Sequence, residues 1–262
     1  DAYREYMAGL DLFGKDYAQA EVHLRRAIEI EPEYFWPRLQ LYYTHFNQGQ
    51  YDKGDAVLQN LLPHRERCSP FERLWLDLMQ ADKAGRSADR VALMRQAEKL
   101  EPTEPVVQYH IGMFALAINR PQVAVTAYGK TNFPTSWLKY QFGTWPFRHL
   151  SQAHHMLSNY AAELAEAQRG RQHYPDDLGL RVTEARALAA LGRLGEMNRV
   201  VEESLSLPSN DSNSPVDVLY ETALERRAHG HKEEVLAMAR RAVAWVRSRH
   251  PNVAGSPAMR KA

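Results

Sequence analysis

The sequence predicts an all-α protein laid out as a row of helix–turn–helix hairpins, and three observations predict it. The first is a near-repetition: GKDYAQAEVHLRRAIEIEPEYFWP begins at Gly14 and GQYDKGDAVLQNLLP at Gly49, which places Tyr17 and Tyr51 34 residues apart. A period of that length marks stacked units whose apolar faces cannot be buried without a neighbour, so one unit alone would not fold. The second is that apolar residues recur at helical spacing and nowhere alternate strictly with polar ones, as a half-buried strand would require. The third is composition: of 262 residues 44% are hydrophobic and 25% charged, within the range of an ordinary folded domain.

Seven units follow when each is required to show a turn, apolar positions at helical spacing and a closing proline or its equivalent. The first, residues 1–34, carries Gly9 and Leu12 on its leading helix, then Tyr17, Ala20, Leu24, Ala27 and Pro32. The second, 35–68, keeps Leu41, Tyr51, Leu58 and Leu61, with Gly54 at a position where a small residue is expected. The third, 69–103, opens on the helix-start pair Ser69-Pro70 and turns at Ala84-Gly85-Arg86-Ser87, but places Arg90 at the small-residue position. The fourth, 104–134, has Gly112 and Ala115, then Pro121 in a first helical turn, where its missing N–H is harmless. The fifth, 144–177, holds Leu150, His154, Tyr160, Leu164, Ala167 and Pro175. The sixth, 178–208, turns at Leu191-Gly192-Arg193, and the seventh, 215–249, at His229-Gly230-His231; both are more degenerate. Between them SLPSNDSNSP, from Ser206 to Pro215, reads as a solvent loop, and the segment 250–262 as a flexible tail without apolar periodicity.

These residues resemble the tetratricopeptide repeat pattern, W-x2-L-G-x2-Y…A-x3-F…P, most closely in the first two units and by spacing in the others. The resemblance covers roughly residues 1 to 249 and implies a right-handed superhelix of about seven hairpins whose leading helices line a concave groove. Transferring that geometry nominates groove residues unit by unit. The first gives Tyr3, Tyr6, Leu10 and Phe13, and the second Trp36, Leu39, Tyr43 and Phe46. Trp75 and Met79 follow in the third, Tyr109 and Met113 in the fourth. The fifth offers Arg148, Gln152 and His155, the sixth Val182 and Arg186, and the seventh Tyr220 and Arg227. The expected groove is therefore aromatic at one end and basic at the other. Family members that clamp a chaperone's terminal carboxylate use lysine, arginine and asparagine on these faces, so Tyr6, Leu10, Leu39 and Tyr43 argue against that ligand. A binding groove for a protein or peptide segment is the expected function, with a sensor of a small apolar ligand and a helical-hairpin enzyme as alternatives.

An insert over 131–146 interrupts the rhythm with Phe133, Trp137, Tyr140, Phe142 and Trp145. So many rings need burial, either as extra packing between the fourth and fifth units or as a lid on the groove. A looser resemblance concerns context: DAYREYMAGLDLFGKDYAQAEVHLRRAIEIEPEYFWP, SPFERLWLDLMQADKAGR and the segment from HHMLSNYAAELAEAQRGR are similar to the repeat region of bacterial signalling proteins, whose usual hosts are serine/threonine kinases and winged-helix regulators.

Chemistry is mostly excluded. Thirty-three basic against 32 acidic residues give a net charge near +1, which nominates neither nucleic acid nor a membrane surface. A single cysteine, Cys68, rules out a disulfide framework within the chain. No apolar run approaches the roughly 20 residues needed to span a bilayer. The start at Asp1 rather than methionine suggests a piece of a longer protein; the compartment expected is the cytoplasm, or outside it if a membrane segment precedes. Nucleotide-loop, nucleophile-elbow and zinc-helix motifs are absent, and the spacing of His149, His154 and His155 does not set a metal pair on one helix face. The expectation is thus a non-catalytic chain without cofactor or metal.

Overall fold

The computed structural model describes residues 1–133, 139, 142–209 and 213–249, and all the regular structure among them is helical. Eight helices whose bounds fall among the described residues lie in a first compact unit, Asp1–Pro146: α1 Ala2–Leu12, α2 Tyr17–Ile30, α3 Phe35–Asn47, α4 Tyr51–Leu61, α5 Pro70–Lys83, α6 Ser87–Leu100, α7 Pro105–Ala117 and α8 Pro121–Tyr128. A short 3-10 turn, Leu62–Arg67, follows α4. The second unit, Phe147–Ala262, contains most of α9 Trp145–Met156, then α10 Tyr160–His173, α11 Leu178–Ala190, α12 Leu194–Leu205, α13 Pro215–Ala228 and α14 Lys232–Arg249. Consecutive helices pack as hairpins, and within each unit a trailing helix also packs on the next leading one. The loop before α13 runs from Ser206 to Ser214, of which 210–212 lie outside the described residues, as does the segment 250–262.

Local chemistry starts and ends these helices. Asp16 caps α2 by accepting from the Gln19 amide at 3.0 Å, Asp177 caps α11 through Leu180 at 2.8 Å, and Ser69 with Glu72 forms a reciprocal capping box on α5. Gly14 and Gly49 end their leading helices with φ of +78° and +70°, a left-handed turn that a Cβ disfavours. The fourth and fifth hairpins make the same turn with Asn119 and Ser158, both at φ +56°.

Packing follows the small positions of the trailing helices. Ala20, Leu24 and Ala27 of α2 are wholly buried between α1 and α3. On α1, a Cβ at Gly9 would fall 2.9 Å from Leu24 carbons, so the two helices approach as closely as glycine permits. Tyr17, expected in the core, is only half-buried: its ring meets Phe13 edge-on at 5.4 Å, and its hydroxyl accepts from Asn47 at 3.3 Å. In the second unit the core is built from Leu164, Val182, Leu188, Val201, Leu219 and Met238 with intervening alanines.

Arg90 breaks the small-residue rule and the structure shows how it is accommodated. Its guanidinium pairs with the buried Asp82 carboxylate at 3.0 Å and covers the Phe114 ring at 4.8 Å, while Tyr43 donates to the other Asp82 oxygen at 3.0 Å. A buried acid that neither donor reached would be strongly destabilising, so the three residues form one unit. Of the insert rings, Trp137 and Tyr140 lie outside the described residues. Phe142 stacks on Tyr109 at 3.9 Å and Phe133 meets Tyr128 at 5.7 Å, both rings buried inside the first unit.

Glu98 fastens the third hairpin to the fourth. One oxygen accepts from Lys130 at 2.6 Å and Gln108 at 2.9 Å, the other from Arg95 at 2.7 Å. Burial pulls the Glu98 carboxyl upward, but these donors together outweigh it and hold it at about 2, against an ordinary 4.5. A depressed folded-state value means the stabilisation is complete above about 4.5 and is lost as pH falls toward about 2. Glu98→Gln should therefore cost about 1 kcal/mol at neutral pH, its donors being partly exposed. Urea unfolding across this acid range should show the gap from the parent protein closing; a gap independent of pH would contradict the assignment.

Candidate functional site

The leading helices of the first unit carry a continuous ladder of rings. Trp36 of α3 meets Phe71 at 6.0 Å and Trp75 at 6.2 Å, and both partners lie on α5. Trp75 in turn meets His110 of α7 edge-on at 4.9 Å, and His110 meets Phe114 at 5.6 Å and Phe142 at 5.9 Å. Offset and edge-on contacts of this kind add to simple burial. Burial pushes His110 down to about 4 despite the Val106 carbonyl, which accepts from its Nδ1 at 2.8 Å. At neutral pH it is thus an uncharged ring among rings.

The ladder divides the nominated residues. Trp75 is 2% exposed, Met79 0% and Tyr109 3%, so these three are interior residues, contrary to the groove assignment. Each lies where one leading helix packs on the next or under the insert, and the extra volume of the rings closes the space a groove would need. Leu10 and Leu39 are buried for the same reason. Tyr6, Phe13, Trp36 and Met113 remain half-exposed, and Tyr3 is exposed. Tyr6 meets Tyr34 edge-on at 5.5 Å. Tyr43 is half-buried and tied by its hydroxyl to Asp82, so only part of its ring is available. One polar group stands out within the ladder: the Trp75 indole N–H is buried and has no hydrogen-bond partner.

The second unit is organised by charge. Glu163 of α10 is fully buried; one oxygen accepts from Arg186 Nε at 2.8 Å and lies in an ion pair 2.7 Å from its Nη2, and the other faces His155 Nδ1 at 2.9 Å. Arg186 also donates to Gln152 at 2.9 Å. The far nitrogen of His155 lies 3.5 Å from Glu225, whose second oxygen meets His229 at 2.9 Å. A chain of polar contacts therefore joins α9, α10, α11 and α13, and the Tyr160 ring lies 5.6 Å from that of His155 and 5.8 Å from that of His229. Arg148 packs against Gly179, where a Cβ would collide with its guanidinium. The basic surface expected from Arg148, His155 and Arg186 is thus largely engaged inside the fold: Arg186 is only 11% exposed because Glu163 needs its charge. Tyr220 and Arg227 are exposed.

The acids that complete these networks escaped the sequence reading. Glu163 shares a helical stripe with Ala167 and Gly170, and Asp82 with Leu78 and Met79; a carboxylate in phase with a core stripe is the signal that was present.

The fold is a row of packed helical hairpins, the architecture also seen in tetratricopeptide repeat structures. Residues 14–74, the span of the clearest repetition, match the family model described as tetratricopeptide repeat. Nothing matches among curated protein sequences. Among solved structures, the chain is similar to a tetratricopeptide repeat protein from Parabacteroides merdae, with 14% identity, 93% of each chain covered and a TM-score of 0.51. It is similar to a thermophilic protein of this type from Thermus thermophilus at 16% identity, covering 72% of this chain and 99% of that one with a TM-score of 0.53. A chain of the APC/C hetero-tetramer Cut9–Hcn1 aligns at 12% identity over 92% of this chain and 46% of its own, with a TM-score of 0.55. At these identities the likeness concerns the fold. No helix among the described residues is long and apolar enough to cross a membrane.

The division between covered and open rings sets an expected result. Trp75→Ala should lose about 3–5 kcal/mol of stability through the cavity left in the ladder. Trp36→Ala, at a half-exposed edge, should lose less than half as much. Chemical denaturation of both variants checks this, and equal losses would mean that Trp36 belongs to the interior as well.

Proposed function

We propose that this chain is a non-catalytic scaffold that binds a protein or peptide segment on the leading-helix face of its first unit, and that it serves as the sensory or interaction region of a larger bacterial signalling protein. The carrying observation is the Trp36–Phe71 pair. Both rings are half-exposed, they rest on the fixed Trp75, and the indole N–H beneath them lacks an acceptor. Open aromatic area on a rigid base is what hot spots use, because little side-chain freedom is lost on binding. Tyr6, Phe13 and Met113 extend the available face. The polar networks of the second unit support the non-catalytic reading, since Glu163 is already paired with Arg186 and bonded to His155. The signalling context rests on the similarity of the opening and later segments to repeat regions of such proteins.

Selection of phage-displayed peptides on the immobilised protein tests the reading. Peptides recovered on the parent should bind Trp36→Ala at least about tenfold more weakly, while its melting curve stays close to the parent's. Equal binding to both proteins would remove this face from recognition.

A further inference from the structure

A second docking site lies on the opposite side of the first two hairpins. Between the trailing helices α2 and α4, with α3 as its floor, the structure opens a cavity of about 340 Å³. Its apolar surface comes from Ile28, Leu41 and Val57, which suits one aliphatic side chain rather than a large ligand. Its charged lining is unbalanced: Arg25, Arg38 and Lys53 against the single carboxylate of Glu29. Arg25 is already committed to Glu21 at 2.7 Å. Arg38 gives its N–H groups to the Pro32 carbonyl, at 3.2 and 2.7 Å, and meets no carboxylate; Lys53 makes no ion pair among the described residues.

The floor adds an unsatisfied polar atom. His45 is 0% exposed, and its Nδ1 lies 3.2 Å from the Gln50 side-chain oxygen. Its Nε2 has no hydrogen-bond partner, and the nearest carboxylate, Glu21, is 3.9 Å away. Burial holds the ring uncharged, so Nδ1–H donates to Gln50 and Nε2 is left as an acceptor beside another acceptor. A donor N–H placed between Nε2 and Glu21 would serve both.

Spacing sets what fits. Arg38 and His45 stand seven residues apart on α3, about 10 Å along a helix, and the antiparallel α4 brings Lys53 to the His45 end. An extended chain sets every second side chain on one face and covers about 13 Å in four residues, a span within reach of the long Arg38 and Lys53 side chains. We propose that this groove binds an extended acidic peptide in which two carboxylates four residues apart meet Arg38 and Lys53, an aliphatic side chain midway between them on the same face fills the pocket, and a backbone N–H reaches His45. The site is separate from the Trp36 face.

The test uses a fluorescein-labelled peptide Gly-Glu-Ser-Leu-Ser-Glu-Gly and the whole chain, read by fluorescence anisotropy. Binding should weaken at least tenfold when the leucine is replaced by serine or both glutamates by lysine, and also as salt screens the charges. Val57→Arg, which fills the pocket, and Lys53→Glu, an exposed change that leaves the core intact, should each weaken it at least tenfold, whereas Trp36→Ala should leave it unchanged. Equal affinity for the lysine peptide, or unchanged binding by Lys53→Glu, would overturn the proposal. Loss on Trp36→Ala with the melting curve preserved would overturn it too, by moving the peptide to the other face. A groove filled by a second copy instead would appear in sedimentation as a dimer that Val57→Arg dissolves, and that result would equally refute it.

Discussion

Every hairpin here must bury two faces, and it has only one partner helix of its own. Within each unit the second face is covered by the next leading helix where one follows, and the approach of three helices to one line is possible only where side chains are small. Ala20, Ala97 and Ala167 are all wholly buried at such lines, Gly9 completes the first of them from its leading helix, and Gly112 makes the same close approach between α7 and α8. A Cβ at Gly112 would come within 2.5 Å of the Tyr128 ring, which shows how little room is left. The helix pairs, the turns and the position of every exposed ring follow from that close approach.

Where the rule of small residues fails, electrostatics replaces volume. Arg90 occupies a position meant for alanine, and the chain answers with a buried Asp82, a tyrosine hydroxyl and a phenylalanine face. The second unit uses the same device on a larger scale. Glu163 and Glu225 stand in phase with core stripes and are held by Arg186, His155 and His229. Such networks are costly to leave half-satisfied, so their members are poorly placed to serve a ligand as well. The two proposed recognition surfaces accordingly use side chains that the internal packing leaves free: the Trp36–Phe71 edge and the groove over His45.

The helical class, the hairpin order and the turn residues could be read from the amino-acid sequence because each depends on neighbours close in the chain. The 34-residue recurrence of Tyr17 and Tyr51, the left-handed turns at Gly14 and Gly49, the Ser69 cap and the burial of Ala20, Leu24 and Ala27 are all of this kind. Which rings are open to a ligand was not legible. Trp36 and Trp75 look alike as large residues on leading helices, yet one is half-exposed and the other is sealed, because only the second is covered from three sides by α3, α7 and its own α5 neighbours. Likewise Arg186 and Lys53 are both cations in the sequence. The tertiary structure spends one on a buried glutamate 23 residues away and leaves the other without an ion pair among the described residues. Helix formation is decided by contacts three and four residues apart, whereas exposure and pairing are decided by which distant helices meet, and that information appears only when the hairpins are stacked.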